Sequence, residues 1–466
     1  MASLTSNRTT PATAATPAIA PASARAKPLP APVRSRLAGI VLALGIVLVA
    51  INLRTTIIAL PPFMPTIRAE TGLSATATGL LTTLPILCWA TLSLFAPRVA
   101  RRIGFDWSLI AMIGLLSAGI LVRVIPAIWS LYAGTLVIGI ALALGNVIAP
   151  ASVKRDFPHK PGLMMSLYGV GMSVGGAISA AAVMPIHEVT GLSWRNTLGL
   201  LIVPALIALA MLLPRLRMPS VLAANAALRA AERARADSAR PRLWNDLLAW
   251  QISLFFGLQA AIFYGLGTWA PTIVNDHGIS QSTAGIVFAV AQVGGIPASF
   301  VVPLLIQNGM SIRRLIVAIC VLFAIGIGGM LLLPATTPAL TAVWLVLMNV
   351  AGASAMACTL MLMVLRSPDT EHAAAISGMS QAVGYAIAGV SPFLFGMLHD
   401  LSGSWMLPTV GTLCLVLPIT WAGLGASRER MLGHRPASGP HLVMAAPDAV
   451  AAPPPARPEA ASPSLD

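Results

Sequence analysis

The chain has 466 residues, of which 57% are hydrophobic and only 9% are charged. Soluble domains have about 45–50% apolar and roughly 25% charged residues, so this composition leaves too little polar surface to cover a soluble core. The same figures exclude a largely disordered chain, and the mean hydropathy of +0.83 indicates a protein that crosses a membrane several times.

Apolar stretches recur along the whole chain, each close to the ~20 residues that a membrane-crossing helix needs. There are twelve, at residues 37–61, 75–96, 107–126, 129–151, 163–186, 196–214, 247–270, 281–305, 315–334, 339–364, 374–398 and 405–425. They lack the period-2 alternation of a transmembrane barrel. The sequence therefore predicts an all-α polytopic membrane protein with twelve transmembrane helices.

The stretches fall into two groups of six on either side of the longest internal polar segment. We predict a disordered cytoplasmic N-terminal tail (1–36), an N-terminal six-helix half (37–214), a basic cytoplasmic linker (215–246), a C-terminal six-helix half (247–425) and a disordered cytoplasmic C-terminal tail (426–466). The linker contains good helix formers, which predicts a short helix there. A transit peptide is an alternative for the N-terminal tail, although no amphipathic Arg-rich helix is visible.

Basic residues are distributed unequally between the two sets of loops. With both termini cytoplasmic, all but four of the 29 Lys and Arg residues lie in cytoplasmic segments, the exceptions being Arg54 within a span and Arg68, Arg123 and Arg195 outside. Since Lys and Arg are retained on the cytoplasmic side of a membrane, this bias predicts the orientation. It also accounts for the net charge of +14 without a nucleic-acid partner.

The two halves repeat each other at a fixed spacing along the chain. Pro65-Thr66-Ile67 matches Pro271-Thr272-Ile273, and Glu70, Gly72, Ser74 and Gly79 match Asp276, Gly278, Ser280 and Gly285. Two six-helix halves in parallel repeat are the architecture of major facilitator transporters. In that architecture the substrate site lies near the midplane between two pseudo-symmetric halves, which rock around it.

Arg54 is the one charged residue near the middle of a predicted span. Placing an Arg there costs at least ~2.5–3.5 kcal/mol on insertion scales, and no acid lies at that depth to pair with it. We predict that Arg54 faces the central cavity and binds an anionic or electron-rich substrate, because its planar fork matches carboxylate-like groups. The alternative is that it snorkels outward or bonds carbonyl groups at the Pro61-Pro62 kink.

Eight uncharged polar side chains also lie at mid-span depth: Asn52, Asn146, Gln259, Tyr264, Gln292, Asn349, Gln381 and Tyr385. Apart from Asn349, we treat all of them as candidate substrate-binding residues. The alternative for each one is a helix–helix hydrogen bond, worth about 0.6 kcal/mol in membranes. As a group around one Arg they predict a mostly apolar cavity with a few polar groups, which suits a small anion or a small polar heteroaromatic.

No acid lies at the midplane, and we take Glu70 and Asp276 as the nearest ones, at equivalent positions in two short outer loops. We predict that they gate the outer mouth or accept a proton during transport. The alternative is that each one caps the helix that follows it.

Enzymatic motifs are weak in this chain. Gly171-Met172-Ser173-Val174-Gly175 matches the GxSxG pattern of serine hydrolases, but every His falls in a loop, a span end or a tail, so no base lies near Ser173. We expect the glycines to allow close helix packing instead. The four cysteines lie singly in spans and have no metal-ligand spacing, so we predict packing residues, no metal and no cofactor.

Several segments resemble the cyanate permease/2-nitroimidazole transporter group of the major facilitator superfamily. They include NLRTTIIALPPFMPTIRAETGLS, GNVIAPASVKRDFP and SGMSQAVGYAIAGVSPFLFGMLHDLSGSW, and together they cover most of residues 40–425. The Asn52-Leu53-Arg54 and Gly257-Leu258-Gln259 segments are the more specific parts. PRVARRIG departs from the superfamily's GxxxDRxGRR loop, as it does in this group. The resemblance implies transport of small anions or small nitrogen heterocycles across a bacterial inner (cell) membrane.

The leading interpretation is a secondary active transporter of a small anionic or polar solute, cyanate-like or carboxylate-like, working by alternating access as a monomer in the lipid bilayer. A co-transported proton is compatible with it. One alternative is an exporter of a small neutral nitrogen heterocycle or drug. An alternative from another class is a non-transporting membrane sensor, and we do not expect an enzyme.

Overall fold

A computed structural model describes residues 36–93, 95–157, 160–217, 243–332 and 337–432. These residues form helices and turns, and no strand occurs among them. Twelve of the helices are long and apolar enough to cross a membrane, which confirms the predicted fold class. Most of the two predicted tails and the predicted linker helix lie outside the described residues.

We number the membrane-crossing helices α1 to α12 in chain order. They are α1 Arg36–Ile58 with its continuation Met64–Thr71, α2 Ala75–Leu92, α3 Phe105–Val124, α4 Ile128–Asp156, α5 Pro161–Thr190, α6 Trp194–Gly199 with Ile202–Leu212, α7 Leu247–Asp276, α8 Gln281–Gly294 with Ile296–Gln307, α9 Ile312–Leu332, α10 Pro338–Leu365, α11 Thr370–Ser402 and α12 Met406–Cys414 with Val416–Ala426. A short helix, Ala96–Ile103, joins α2 to α3.

Helix α1 extends beyond the predicted span 37–61. Pro61 and Pro62 interrupt it, because proline has no N–H to donate and its ring clashes with the preceding turn. The chain passes through the single 3-10 turn Pro61–Phe63 and then resumes as Met64–Thr71. Pro65 lies in the first turn of that continuation, where a missing N–H removes no helical hydrogen bond.

Equivalent residues of the sequence repeat have the same structural roles at the loops after α1 and α7. Gly72 and Gly278 have φ values of 69° and 89°, which an L side chain rarely adopts. Ser74 and Ser280 then cap α2 and α8 by accepting hydrogen bonds from the backbone N–H groups three residues later. The two halves therefore fold alike where their sequences match.

A second repeat becomes visible only in the structure, at the loops after α5 and α11. Gly191 and Gly403 end these helices with φ values of 66° and 65°, and α6 and α12 begin close to the buried side chains of Trp194 and Trp405. The loop after α5 is one residue longer than the loop after α11. The residue spacing that aligns the loops after α1 and α7 therefore does not align these two.

The two halves contact each other closely along two pairs of helices, which are α2 with α11 and α5 with α8. A Cβ added at Gly79 would lie 2.6 Å from the carbonyl oxygen of Pro392, and one added at Gly285 would lie 2.9 Å from that of Ala180. Gly79 and Gly285 are equivalent in the repeat. The absence of a side chain at both positions allows helices of opposite halves to approach closely.

The cysteines are only partly the packing residues that the sequence predicts. Cys88, Cys320 and Cys358 are buried, whereas Cys414 on α12 is exposed.

Candidate functional site

A cavity of about 200 Å³ lies between the two halves, at the mid-height of the helices that surround it. Its polar lining residues are Arg54, Ser173, Gln259, Tyr264, Gln292, Ser299, Asn349 and Tyr385. Its apolar lining residues are Gly176, Ala260, Phe263, Gly295, Ile296, Gly352, Ala353 and Met356. The N-terminal half contributes only Arg54, Ser173 and Gly176, so the positive charge comes from one half and the amide and phenol groups come from the other.

Arg54 reaches this cavity from α1. Its guanidinium carbon lies 5.1 Å from the centre of the Phe263 ring, and the guanidinium also interacts electrostatically with the Tyr264 hydroxyl. In the described part of the chain no carboxylate pairs with it, and it bonds no carbonyl group at Pro61 or Pro62. The guanidinium therefore faces the cavity, with the Phe263 ring and the Tyr264 hydroxyl as its neighbours.

Helix α5 makes room for Arg54. A Cβ added at Gly176 would lie 3.1 Å from Cγ of Arg54, which is closer than ordinary van der Waals contact. Ser173 lies one helical turn earlier and lines the same cavity. The GxSxG pattern in α5 thus contributes a hydroxyl group to the cavity that Arg54 lines.

The amide side chains of the cavity belong to α7, α8 and α10. Gln259 is buried and its amide nitrogen lies 3.9 Å from the sulfur of Met356, while Asn349 donates to the Leu345 carbonyl at 3.0 Å. For Gln292 the described residues provide no hydrogen-bond partner. The carbonyl and N–H groups of these amides are able to bind the polar part of a solute whose anionic group contacts Arg54.

Two tyrosines, Tyr264 and Tyr385, line the cavity, and Trp89 packs on both of them from outside the lining. Trp89 packs edge-to-face on Tyr264 and Tyr385, with ring centres 5.9 Å and 5.5 Å apart. Tyr264 packs in the same way on Phe263 at 5.1 Å. Such edge-to-face contacts fix ring orientations, so the rings of Phe263, Tyr264 and Tyr385 face the cavity in fixed orientations.

Three of the predicted binding residues lie outside the lining of the cavity. The amide nitrogen of Asn52 donates to the carbonyl groups of Leu48 and Pro204, at 2.8 Å and 3.0 Å. The first bond lies within α1 and the second joins α1 to α6, so both amide hydrogens have partners in the protein. Gln381 donates to the Ser377 hydroxyl at 3.1 Å, and Asn146 lies half-buried on α4. For Asn52 the structure favours the helix–helix interpretation over the substrate interpretation.

The sequence interpretation did not include Ser173, Ser299, Phe263 or Asn349 among the binding residues. Asn349 was visible as a polar side chain at the right depth. Ser173 and Ser299 are small residues of a kind common at helix interfaces, and Phe263 is one apolar residue within an apolar span. Only the rotation of each helix about its axis reveals that these side chains face the cavity.

The predicted gating acids each accept a hydrogen bond from a tryptophan of their own half. Glu70 accepts from the indole N–H of Trp194, and Asp276 accepts from that of Trp405, both at 2.6 Å. The two pairs are equivalent in the repeat. Each one ties the end of the first span of a half, α1 or α7, to the start of its sixth span.

The capping alternative for these acids is wrong. The caps of α2 and α8 are Ser74 and Ser280, whose hydroxyls accept from the backbone N–H groups of Ala77 and Thr283, each at 3.2 Å. The hydroxyl of the serine directly before each helix satisfies one of the N–H groups that open it. The acids accept from the indoles instead.

Polar contacts also join the two halves at the predicted outer end. The carboxylate of Asp400 on α11 accepts from the backbone N–H groups of Ala75 and Thr76, at 3.0 Å and 2.7 Å, and from the Thr76 hydroxyl at 2.6 Å. Gln281 on α8 donates to the Pro62 carbonyl at 2.8 Å. These contacts tie the two halves together at that end of the bundle.

Comparisons with known proteins agree with this fold. Residues 14–392 match the Major Facilitator Superfamily, and the chain belongs to that family. It is 36% identical over 391 residues to the 2-nitroimidazole transporter of Escherichia coli (strain K12), covering 84% of this chain and 96% of that protein. It is 24% identical to the cyanate transport protein of the same organism, covering 80% and 94%.

Among solved structures, a D-xylose-proton symporter superposes with a TM-score of 0.65 at 13% sequence identity, covering 84% of this chain and 99% of that one. At that identity the likeness concerns the fold. Taken together, the chain is a twelve-span membrane transporter of major facilitator type with bacterial relatives, and the predicted resemblance to the cyanate/2-nitroimidazole group is confirmed.

Proposed function

We propose that this protein is a secondary active transporter of a small anionic or polar solute, which binds in the cavity between the halves with Arg54 as its anchor. The observation that carries the proposal is the position of Arg54, which lines the cavity without a carboxylate partner in the described residues. A buried cation is expensive in a membrane. An anion that binds next to Arg54 offsets that cost, and this gain contributes to the affinity of the cavity for the anion.

The chemistry of the lining supports an anion with further polar atoms. A carboxylate-like group is able to form two parallel charge-assisted hydrogen bonds with the guanidinium. The amides of Gln259, Gln292 and Asn349 and the phenols of Tyr264 and Tyr385 then surround the rest of the solute. A cavity of about 200 Å³ favours a small solute, and the solutes for which the two relatives are named, 2-nitroimidazole and cyanate, are small.

Export of a small neutral nitrogen heterocycle is the second candidate function. The observation that favours it is the pair of tyrosine rings that line the cavity, Tyr264 and Tyr385, each packed edge-to-face on Trp89, since flat rings pack well against such a surface. Under this alternative, Arg54 donates hydrogen bonds to an electron-rich group of the heterocycle rather than pairing with a full negative charge.

The contacts between the halves support alternating access. Hydrogen bonds from Ala75 and Thr76 to Asp400, and from Gln281 to Pro62, hold the predicted outer end closed. Opening that end requires these bonds to break while the cavity closes on the other side. The protein then works as a monomer in a bacterial inner membrane, with both termini cytoplasmic as the distribution of Lys and Arg predicts.

Glu70 and Asp276 are the proposed gating or proton-coupling residues. Both carboxylates are exposed at the predicted outer end and are tied to indoles. An anion that crosses alone is opposed by an inside-negative potential of ~2.3 kcal/mol per charge per 100 mV. Co-transport of one proton removes that opposition, and the proton travels on one of these acids or on the substrate.

A thermal-shift screen tests the proposed function. Purified full-length protein is mixed with small anions (cyanate, acetate, benzoate) and azoles (imidazole, 2-nitroimidazole). A ligand at 100 times its Kd stabilises the folded state by about 2.7 kcal/mol, so binding raises the apparent Tm. We expect at least one anion to do so in the wild type but not in Arg54→Gln, with Arg54→Lys intermediate. An equal rise in Arg54→Gln contradicts the anchor, and a rise with azoles alone favours the second candidate.

A further inference from the structure

The side chain that holds Arg54 belongs to the opposite half of the protein. Phe263 is on α7, whereas Arg54 is on α1, and the guanidinium carbon lies over the Phe263 ring at 5.1 Å. An aromatic face attracts a cation without accepting its N–H hydrogens in plane. Phe263 therefore positions the guanidinium and leaves the edge of the fork available to a ligand, which a carboxylate in its place would not do.

The surroundings of Phe263 keep its ring in place. Gly352 of α10 lies beside it, and a Cβ there would be 3.7 Å from the Phe263 ring. Tyr264 packs edge-to-face on it with ring centres 5.1 Å apart. On α5, the backbone at Gly176 approaches the stem of Arg54, since a Cβ there would lie 3.1 Å from Cγ and 3.9 Å from Nε. The guanidinium therefore lies over the face of Phe263, and its stem lies against the α5 backbone.

This geometry selects by shape. A carboxylate bound bidentately lies in the plane of the guanidinium. When the carboxylate is conjugated to an aromatic ring, the whole solute is flat and stays near that plane beside the face of Phe263. When it is attached to a saturated ring, hydrogens project above and below the plane, and those on one side meet Phe263.

We propose that Phe263 is a specificity-determining residue, which favours solutes whose anionic group is conjugated to a flat ring over saturated anions of the same size and charge. This inference rests on the proposed function, because it concerns the same cavity and the same Arg54. Aromatic and cation–π contacts of this kind correspond to roughly two- to twelve-fold in affinity.

The test compares two carboxylates that differ in flatness. Dissociation constants for benzoate and cyclohexanecarboxylate are measured by titration calorimetry on the purified full-length protein. We expect the wild type to bind benzoate at least roughly three-fold more tightly. In Phe263→Leu, which keeps an apolar side chain but removes the ring, the ratio should fall close to one. Phe263→Tyr keeps the ring and should keep the preference.

Phe300→Leu is the matched control, since it makes the same substitution at an exposed position of α8, and it should behave as the wild type. Equal binding of the two acids by the wild type, or an undiminished preference in Phe263→Leu, overturns the inference while leaving the proposed anion site intact. Failure of the wild type to bind either acid counts against both the inference and the proposed carboxylate-like substrate. The comparison within the wild type does not depend on whether a variant folds.

Discussion

Neutralising Asp400 is expected to loosen the predicted outer end of the bundle. Its carboxylate accepts two backbone N–H groups and one hydroxyl from the first turn of α2, in the other half. Those N–H groups have no partner within their own helix, and the positive end of the α2 dipole favours a negative charge there. Asp400→Asn keeps the shape but removes the charge and presents an NH₂ group to the donors.

The magnitude follows from the number and type of these bonds. Hydrogen bonds to an ionised acceptor are roughly twice as strong as neutral ones, and three of them lose that advantage together. The side chain is 27% exposed, so water takes over part of the interaction. We estimate a loss of about 1–2 kcal/mol, which shifts the ratio of outer-open to outer-closed molecules toward the open form by roughly 5- to 30-fold.

Double electron–electron resonance, which measures the distance between two spin labels, checks this shift toward the outer-open form. Nitroxide labels are placed at Asn196 and Leu401, exposed positions at the outer end of each half, in a protein with Cys414→Ser. Asp400→Asn should enlarge the long-distance population. Glu188→Gln is the matched control, since Glu188 has the equivalent place on α5 and no hydrogen bond in the described residues. An identical distance distribution in Asp400→Asn and the wild type refutes the claim that the Asp400 hydrogen bonds hold this end of the bundle closed.

Three further outcomes follow from the structure. Gly175→Ala should destabilise the protein by about 1–3 kcal/mol, seen as a lower Tm, because its Cβ would lie 2.8 Å from the carbonyl oxygen of Ile51; a wild-type Tm contradicts this packing. Glu70→Gln and Asp276→Asn should leave ligand binding intact, and a variant that removes the proton carrier should lose pH-driven accumulation but retain exchange; unchanged accumulation in the double variant leaves the substrate as proton carrier. A chain limited to residues 34–432 should insert and transport normally, since the tails carry no motif; normal insertion without transport contradicts this.

Much of the fold could be predicted because the sequence features that indicate it do not depend on how the helices pack. Span length and apolar composition predict the twelve helices, and the match of Gly72-to-Gly278 and Ser74-to-Ser280 reflects backbone requirements that any sequence must meet at those turns. The predicted end of α1 was less accurate. Pro61 and Pro62 indicate a break, but whether the chain turns away or resumes as a helix depends on what packs against it.

The binding site could be predicted only for residues whose polarity alone indicates that they face a cavity. Arg54 is costly anywhere in the bilayer except at a cavity or an interface, so its position could be inferred from one residue. Asn52 and Gln259 lie at similar depth and have similar side chains, yet one joins α1 to α6 and the other lines the cavity. A helix that is apolar on all sides carries no periodic signal for its rotation, and Phe263 could not be recognised for the same reason.

Counterflow in proteoliposomes tests the central claim most directly, namely that this protein transports a small solute anchored by Arg54. Vesicles loaded with an unlabelled ligand identified by the thermal-shift screen are diluted into the same ligand in labelled form. We predict transient accumulation of label with the wild type, strongly reduced accumulation with Arg54→Lys, and none above protein-free vesicles with Arg54→Gln at equal incorporation. Accumulation by Arg54→Gln at the wild-type rate would contradict the account.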